Sequence, residues 1–389
     1  MSENYKVLFV GPYPPPYAGP EISMKYLLES PLTKRFDVSF LNTNFRKSNA
    51  KKGNIDIFLV GAFFSFVARL MWMLATRRPS LVYSFVTATR LGWLGRDIWC
   101  IAISRLFGRK VVLHMRGGHF KINYDASGRL AKGIIRGACS FVSCGIVQAK
   151  GLRNQFEGLI PEERIVVIHN AVDCDQYAMH NPADYDRNMV LFMGHLSPSK
   201  GYCDLLKVIP DVVRACPDVV FHFAGTKIKK ETNVKQNQLT GEQIFFEDPE
   251  DCFERYIKGR CEKNYVYHGI ADENAKLELL RKCNFFVLPS YSEGFSMAVL
   301  EALSMGKPIV TTPVGALGEV IRHEVHGLLC RPGDLVALKN NILIMLNNAA
   351  LREQISIENK EYVRQNFTIE VISQKLGDCF ASLLIGEGK

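Results

Sequence analysis

The sequence predicts an α/β protein with two domains, each built on a doubly wound parallel sheet. Short apolar runs with strand character alternate with helical stretches, and this alternation is typical of parallel sheets. The length of 389 residues is sufficient for two domains of ordinary size. A content of 47% hydrophobic and 22% charged residues is that of a globular protein with full cores.

Six strands are predicted in the N-terminal half: Lys6–Val10, Asp37–Asn42, Leu81–Phe85, Lys110–Met115, Phe141–Cys144 and Arg164–Ile168. A proline-rich loop follows the first strand, and a helix is predicted to begin near Ile22. Gly19 in this loop would let the backbone approach a ligand at the helix N-terminus.

The segment Ile57–Thr76 is long and apolar enough to be considered for a membrane span. Arg69 inside it would cost about 2.5–3.5 kcal/mol at the bilayer centre. Because a crossover helix is needed at this place, we interpret the segment as that helix, with surface contact to a membrane left open.

The C-terminal half continues the alternation, with predicted strands at Met189–Met193, Val219–Gly225, around Val266, at Phe285–Leu288 and after Pro308. Helices are predicted at Asn274–Cys283, after Ser296 and near the C-terminus. Between the second and third of these strands lies an insertion, Thr226–Asn264. Its first part is predicted to be a mobile loop and its second part to hold a short helix.

Charge and cysteine content suggest a compartment and a partner. The first 180 residues contain 24 Lys+Arg against 12 Asp+Glu. This excess indicates attraction to an anionic membrane surface or acceptor, or a solvated basic surface without a partner. The eleven Cys show no C-x-x-C pair, which is typical of reduced thiols in a cytosolic protein. No signal peptide is recognisable, so we expect a cytoplasmic protein.

The stretch Leu288–Ile321 combines a buried strand, a loop with Glu293, a good N-cap at Ser296 and a helix with Glu301. Strand ends of parallel sheets bind ligands, and helix N-termini favour anions. Its core, PSYSEGFSMAVLEALSMGKPIV, closely resembles the signature of retaining, nucleotide-sugar-dependent glycosyltransferases of family four (glycosyl transferases group 1), of the bacterial surface-polysaccharide type.

The resemblance implies a GT-B fold, in which two Rossmann-like domains face each other across a cleft and a C-terminal helix crosses back to the first domain. Residues 1–180 would form an acceptor-binding domain and residues 181–366 a nucleotide-sugar-binding domain. Residues 367–389 would form the crossing helix.

The resemblance also implies roles for individual residues in donor binding. Glu293 would face the donor sugar and diphosphate, and Glu301 would bind the ribose hydroxyls. Lys200 would hold the diphosphate beside His195, which stands where the family has Arg. The other expected donor-site residues are Gly19, Gly194, Gly269, Ile270, Gly294, Phe295, Ser296 and Met297.

The N-terminal domain departs from the family pattern at Arg116, which stands where the family usually has a site histidine. His114 and His119 are nearby substitutes, and Arg116 could bind a phosphate with two hydrogen bonds. An Asp184-x-Asp186 pair resembles a metal motif of another glycosyltransferase fold. The pair lies in the polar stretch 179–188, which is predicted to be the interdomain linker, so we expect no metal site there.

These features predict a retaining, metal-independent transfer of a sugar from a UDP- or GDP-linked donor to a lipid-linked or polysaccharide acceptor. No cofactor and no nucleic acid partner are expected, and the protein would work in the cytoplasm or at the inner face of the membrane. Alternatives are a non-catalytic GT-B protein that binds a nucleotide sugar or a partner, and a sugar-nucleotide epimerase of the same fold.

Overall fold

The structure is a computed structural model that describes residues 5–15, 18–44, 57–178, 185–228, 235–244 and 247–385. The chain divides into two compact units. Unit 1 comprises Met1–Ala171 and Ile369–Lys389, and unit 2 comprises Val172–Thr368. Near the two ends of unit 2, the Val172 N–H donates a hydrogen bond to the Phe367 carbonyl over 2.9 Å.

Unit 1 contains a six-stranded parallel sheet in the order β2-β1-β3-β4-β5-β6. Its strands are β1 (Lys6–Gly11), β2 (Asp37–Asn42), β3 (Leu81–Val86), β4 (Lys110–Met115), β5 (Cys144–Val147) and β6 (Ile165–Val167). Its helices before residue 171 are α1 (Gly19–Glu29), α2 (Leu32–Arg35), α3 (Ile57–Thr76), α4 (Arg90–Gly92), α5 (Ile98–Leu106), α6 (Phe120–Asp125) and α7 (Arg129–Ser140). A π-helical segment, Trp93–Asp97, joins α4 to α5.

Side chains of β1 alternate between two hydrophobic clusters, as the two-residue period of a strand requires. Val7 and Phe9 belong to a cluster with side chains of α1 and α2, while Leu8 and Val10 belong to one with side chains of α3 and α5. The sheet is therefore covered on both faces, which explains why its strands read as continuous apolar runs.

Unit 2 contains a second six-stranded parallel sheet, in the order β11-β8-β7-β12-β13-β14, and a separate two-stranded hairpin of β9 and β10. The strands are β7 (Met189–Met193), β8 (Val220–Ala224), β9 (Lys235–Gln236), β10 (Gln243–Ile244), β11 (Tyr265–Tyr267), β12 (Phe285–Leu288), β13 (Ile309–Thr311) and β14 (Gly327–Leu329). The helices are α8 (Cys174–Ala178), α9 (Tyr202–Ala215), α10 (Pro249–Tyr256), α11 (Glu273–Lys282), α12 (Met297–Ser304), α13 (Leu317–Val320), α14 (Leu335–Asn347) and α15 (Ala349–Asn366).

The last helix, α16 (Ile369–Ile385), belongs to unit 1 and confirms the predicted return of the chain. Its buried residues Ile372, Leu376 and Phe380 join the cluster that contains Phe9. The Phe380 ring lies 5.2 Å from the Tyr83 ring, measured between centroids. The N-terminal sheet is thus completed by the C-terminal end of the sequence.

Two local predictions in unit 1 are wrong. The strand predicted at Phe141–Cys144 begins only at Cys144, because α7 continues to Ser140 and leaves the Phe141 side chain 56% exposed. Helix α1 begins at Gly19 rather than near Ile22, with Pro20 in its first turn. Proline is favoured there because the first helical N–H groups need no intrahelical acceptor.

The insertion between β8 and β11 is partly regular. Its first part holds the β9–β10 hairpin, so the prediction of a loop without structure is wrong for residues 235–244. Its second part holds α10, as predicted. Residues 229–234 and 245–246 of the insertion, and the predicted linker residues 179–184, lie outside the described residues. Among the helices described, none is long and apolar enough to cross a membrane.

Candidate functional site

The site in unit 2 lies where the strand order of its sheet reverses. Neighbouring strands β7 and β12 pair in parallel, Val190 opposite Phe285, while the next elements in sequence lead away in opposite directions. Carboxyl ends of parallel strands at such a reversal form the crevice in which doubly wound proteins bind ligands. The segments that follow these two strands contain Lys200 and Glu293.

A glycine brings the two segments together. Gly201 follows the short 3-10 turn Pro198–Lys200 and has a φ of +73°. A Cβ at this position would lie 2.1 Å from the Pro289 carbonyl oxygen, so only glycine permits both the conformation and the close approach. The Tyr291 N–H donates to the Ser199 carbonyl over 2.9 Å and fixes the contact.

Glu293 is buried, and both of its carboxylate oxygens accept hydrogen bonds. The Lys200 ammonium donates to both carboxylate oxygens at 2.7 Å, and the Ser290 hydroxyl donates to Oε1 at 2.7 Å. Gly315 packs directly against the loop that contains Glu293. A Cβ at this position would lie 2.3 Å from the Glu293 carbonyl oxygen. Lys200 and Glu293, which were each expected in the donor site, therefore form an ion pair with each other.

Helix α12 presents its N-terminus to the same loop. Ser296 caps it, as predicted, by accepting a hydrogen bond from the Val299 N–H over 3.5 Å. Within the described part of the chain, the N–H groups of Gly294 and Ser296 donate no hydrogen bond. Phe295 and Met297 are buried. The helix end therefore offers two backbone donors to an anion, with the helix dipole in support.

The second glutamate of the signature, Glu301, lies about one turn after the start of α12. Glu301 is 2% exposed, and its Oε1 accepts a hydrogen bond from the Lys276 ammonium at 2.7 Å. Lys276 comes from the first half of α11 and is 25 residues away in sequence. Sequence reasoning missed Lys276, because no local pattern ties a lysine of α11 to α12.

The ends of β7, β8 and β11 form the next part of the same edge. The Gly194 N–H donates to the Ala224 carbonyl over 2.9 Å, and the Gly225 N–H donates to the Gly269 carbonyl over 2.7 Å. Ile270 is 78% exposed directly after this contact. The structure therefore brings Gly194 and Gly269 together through Gly225. His195 follows Gly194 and is exposed.

In unit 1, the predicted residues at the end of β4 form a polar cluster. The Arg116 guanidinium donates to His114 Nε2 over 3.3 Å and to Asn170 Oδ1, and it lies 4.7 Å from the centroid of the Phe85 ring. Because Nε2 accepts from arginine, Nδ1 carries the proton and donates to the Tyr83 hydroxyl oxygen at 2.6 Å.

The two basic groups of this cluster differ in charge. Burial and, to a smaller extent, the neighbouring Arg116 charge hold the pKa of His114 well below its usual range. Burial lowers the pKa of Arg116 to about 10, which leaves the guanidinium charged at pH 7. His114 therefore supports Arg116 as a neutral acceptor, with both ring nitrogens occupied. Arg116 forms no ion pair with a carboxylate among the residues described.

The remaining predicted residues lie apart from these clusters. Gly19 is the first residue of α1 and His119 is the N-cap of α6. Asp186 donates its backbone N–H to the Lys282 carbonyl over 2.8 Å, while Asp184 lies outside the described residues. A small cavity of unit 1 is lined by Ser23 of α1 and by Arg116 and its neighbours, which connects α1 with the β4 cluster.

Comparisons with known proteins agree with this arrangement. Residues 177–362 match the family model described as glycosyl transferases group 1. This matched range lies within unit 2, so the similarity to the family is a property of that unit. An uncharacterized glycosyltransferase of Methanocaldococcus jannaschii is 32% identical over 223 residues, which are 57% of this chain and 54% of that protein. The phosphatidyl-myo-inositol mannosyltransferase of Mycobacterium tuberculosis is 28% identical over 218 residues, 54% of this chain and 52% of its own length. The chain thus spans about half the length of the curated relatives it matches.

Solved structures extend the likeness to the whole fold. Anabaena HepE in complex with UDP superposes with a TM-score of 0.69 at 17% identity, covering 97% of this chain and 100% of that one. Sucrose-phosphate synthase from Thermosynechococcus elongatus gives a TM-score of 0.72 at 16% identity and covers 98% and 100%. Together with the two parallel sheets, these likenesses show the predicted GT-B fold.

Proposed function

We propose that this protein transfers a sugar from a nucleotide-diphosphate sugar to an acceptor, with retention at the anomeric carbon and without a metal ion. The observation that carries the proposal is the ion pair between buried Glu293 and half-buried Lys200 beside the N-terminus of α12. It lies at the reversal of the strand order, where this architecture binds its ligands. The relatives named above are glycosyltransferases, and one solved relative holds UDP-glucose.

The leaving group of such a reaction is a nucleoside diphosphate, which gains negative charge as the glycosidic bond breaks. Fixed donors that face this charge lower the barrier without reorganising. The Gly294 and Ser296 N–H groups and the α12 dipole supply such donors. Lys200 uses two of its three N–H groups on Glu293, which leaves the third for a phosphate oxygen.

The remaining donor groups can be assigned from the same edge of the sheet. Glu301 Oε1 is occupied by Lys276, and Oε2 is left as an acceptor for the ribose hydroxyls. The backbone around Gly269 and Ile270 would cradle the base of a UDP- or GDP-linked donor. We expect Glu293 to bind hydroxyls of the transferred sugar.

The environment of Arg116 in unit 1 favours an acceptor that carries negative charge. Arg116 is a charged group held by neutral partners, so an anionic acceptor group would complete its environment. A guanidinium offers two parallel hydrogen bonds to phosphate or carboxylate. The lipid-linked or acidic polysaccharide acceptors that this implies are consistent with the basic first 180 residues.

An exposed apolar face of unit 1 favours binding of the protein to the inner surface of the membrane. Phe64 and Trp72 of α3 are 64% and 60% exposed, and Trp99 of α5 lies 5.6 Å from Phe63 between ring centroids. Exposed arginines occur on α3 (Arg69), directly after it (Arg77 and Arg78) and on α5 (Arg105). Aromatic residues flanked by arginine suit the headgroup region of an anionic bilayer.

A donor screen tests the proposal. Purified protein would be incubated with individual UDP- and GDP-linked sugars, with thermal unfolding and donor consumption as readouts, in buffer with and without EDTA. One donor should stabilise the fold, since a ligand at 100 times its Kd adds about 2.7 kcal/mol. Turnover of this donor should be the same with and without EDTA. NMR should show that the product keeps the anomeric configuration of the donor. Absence of turnover with every donor and acceptor extract would refute the proposal.

Membrane association has its own test. Co-sedimentation with vesicles of phosphatidylglycerol should exceed that with phosphatidylcholine vesicles and should fall with added salt, because surface charges are screened within about 10 Å at 0.1 M. Trp72→Ser should weaken it, while replacement of the exposed Leu130 on α7, Leu130→Ser, serves as the matched control. Equal binding to both vesicle types would count against attraction of the protein to an anionic membrane surface.

A further inference from the structure

The insertion between β8 and β11 carries an ordered hairpin whose turn has defined geometry. Strands β9 and β10 pair antiparallel, with Gln236 opposite Gln243. In the turn, the Asn237 N–H donates to the Glu242 carbonyl over 2.8 Å, and the Gly241 N–H donates to the Asn237 carbonyl over 2.7 Å. Asn237 is 7% exposed, so the turn is packed rather than projecting into solvent.

The tip of this hairpin is bonded to the loop that carries Glu293. The Gln238 backbone N–H donates to the Tyr291 carbonyl over 3.2 Å. In return, the Glu293 backbone N–H donates to Gln238 Oε1 over 3.0 Å. Two bonds in opposite directions fix both the distance and the orientation of the hairpin relative to the loop.

These bonds complete the restraints on Glu293. Its carboxylate is held by Lys200 and Ser290, but those side chains do not hold its backbone. The residue is 6% exposed, and a buried N–H without an acceptor would cost about 1–3 kcal/mol. Gln238 supplies that acceptor from an element that lies more than fifty residues earlier in the sequence.

We propose that Gln238 is a positioning residue for Glu293, and that the inserted hairpin is part of the donor site. The inference rests on the proposed function, in which Glu293 binds the transferred sugar. Without the Gln238 acceptor, the loop can shift while the fold remains. A misplacement of about 1 Å at a reacting group can cost about 10²-fold in rate.

Hydrogen exchange tests the geometry without any substrate. Gln238→Ala should speed exchange of the Glu293 amide at least about tenfold, because its only acceptor among the described residues is removed. Gln238→Glu keeps an acceptor oxygen at the same reach, so protection of this amide should be retained. Gln243→Ala is the matched control, since this residue of the same hairpin is exposed and, among the described residues, forms no hydrogen bond to the loop.

Kinetics test the consequence for the site. With the identified donor, Gln238→Ala should lower kcat about 10- to 100-fold and change KM for the donor less than about threefold, because the groups for phosphate and ribose stay in place. A purely structural role would lower the melting temperature but leave kcat per folded molecule unchanged.

The outcomes separate the two ideas. If Gln238→Ala and Gln243→Ala give the same Glu293 exchange rate and the same kcat, the positioning role is refuted. If the wild-type protein turns over no nucleotide sugar, the proposed function fails, and the exchange comparison alone decides whether Gln238 holds Glu293.

Discussion

The Lys276 ammonium lies 2.7 Å from Glu301 Oε1, and this contact joins α11 to α12 behind the candidate donor site. The Glu301 side chain is 2% exposed and the Lys276 side chain 14%, so the pair is largely removed from water. A buried carboxylate that loses its partner keeps its desolvation cost. Lys276 therefore offsets the burial of the Glu301 carboxylate and fixes its position in the candidate donor site.

Replacement of Lys276 tests this dependence. Lys276→Met should lower the free energy of unfolding by about 3–5 kcal/mol, the usual cost of breaking a buried pair at one side. Urea denaturation measures it. Lys276→Met combined with Glu301→Gln should recover part of the loss. Lys282→Met, on the same helix with a 55% exposed side chain, should change stability by less than about 0.5 kcal/mol. An equally large loss of stability in Lys282→Met would contradict a special role of the Lys276–Glu301 pair.

The C-terminal helix contributes to the stability of the N-terminal sheet. Phe380 is fully buried against Phe9, Phe36 and Tyr83. Phe380→Ala should destabilise unit 1 by about 3–5 kcal/mol, since it removes packing and leaves a cavity. Ile385→Ala at the exposed end of α16 is the control. Differential scanning calorimetry should show a lower transition temperature for the first variant only, and a shift of both or neither would argue against this packing.

The sequence was sufficient for the fold because its strongest signals are local. Apolar runs bounded by turn residues placed β2 and β4 at their observed ends, and Ser296 identified the start of α12. The strand predicted at Phe141–Cys144 begins too early for a clear reason. An apolar run of strand length also fits a helix end, and periodicity alone cannot separate the two.

The site could be predicted only as far as its motifs extend. Glu293 and Lys200 follow neighbouring strands, so their meeting could be expected from the parallel sheet. The contacts of Lys276 and Gln238 depend on how α11 and the insertion pack, and no sequence period encodes that packing. The burial of His114 between Tyr83 and Arg116 could not be predicted either, because it is a property of the tertiary structure.

The low pKa of His114 predicts a pH effect on stability. Its folded-state pKa lies below the unfolded value, so the unfolded chain binds more protons as the pH falls below about 6.5. The folded state should thus lose stability on acidification, by at most about 1.4 kcal/mol per pH unit from this group. His114→Gln cannot titrate and should show a smaller loss between pH 7.5 and pH 5.5 in urea denaturation. Equal slopes for both proteins would contradict the buried neutral state.

The final prediction concerns whether Lys200 and Glu293 act as one unit. Both oxygens of Glu293 accept from the same ammonium, so removing either residue breaks the same contact and leaves its partner misplaced. Lys200→Ala and Glu293→Ala should each lower kcat about 10²- to 10³-fold, the scale of losing one preorganised electrostatic contact. The double variant should be hardly slower than either single one, because groups that act together are not additive. Lys207→Ala on α9, which breaks an ion pair with Glu247, is the matched control and should retain its rate. Donor consumption and transfer to acceptor extract would be measured for all four variants. Rate losses that multiply in the double variant would mean that Lys200 and Glu293 serve the reaction separately.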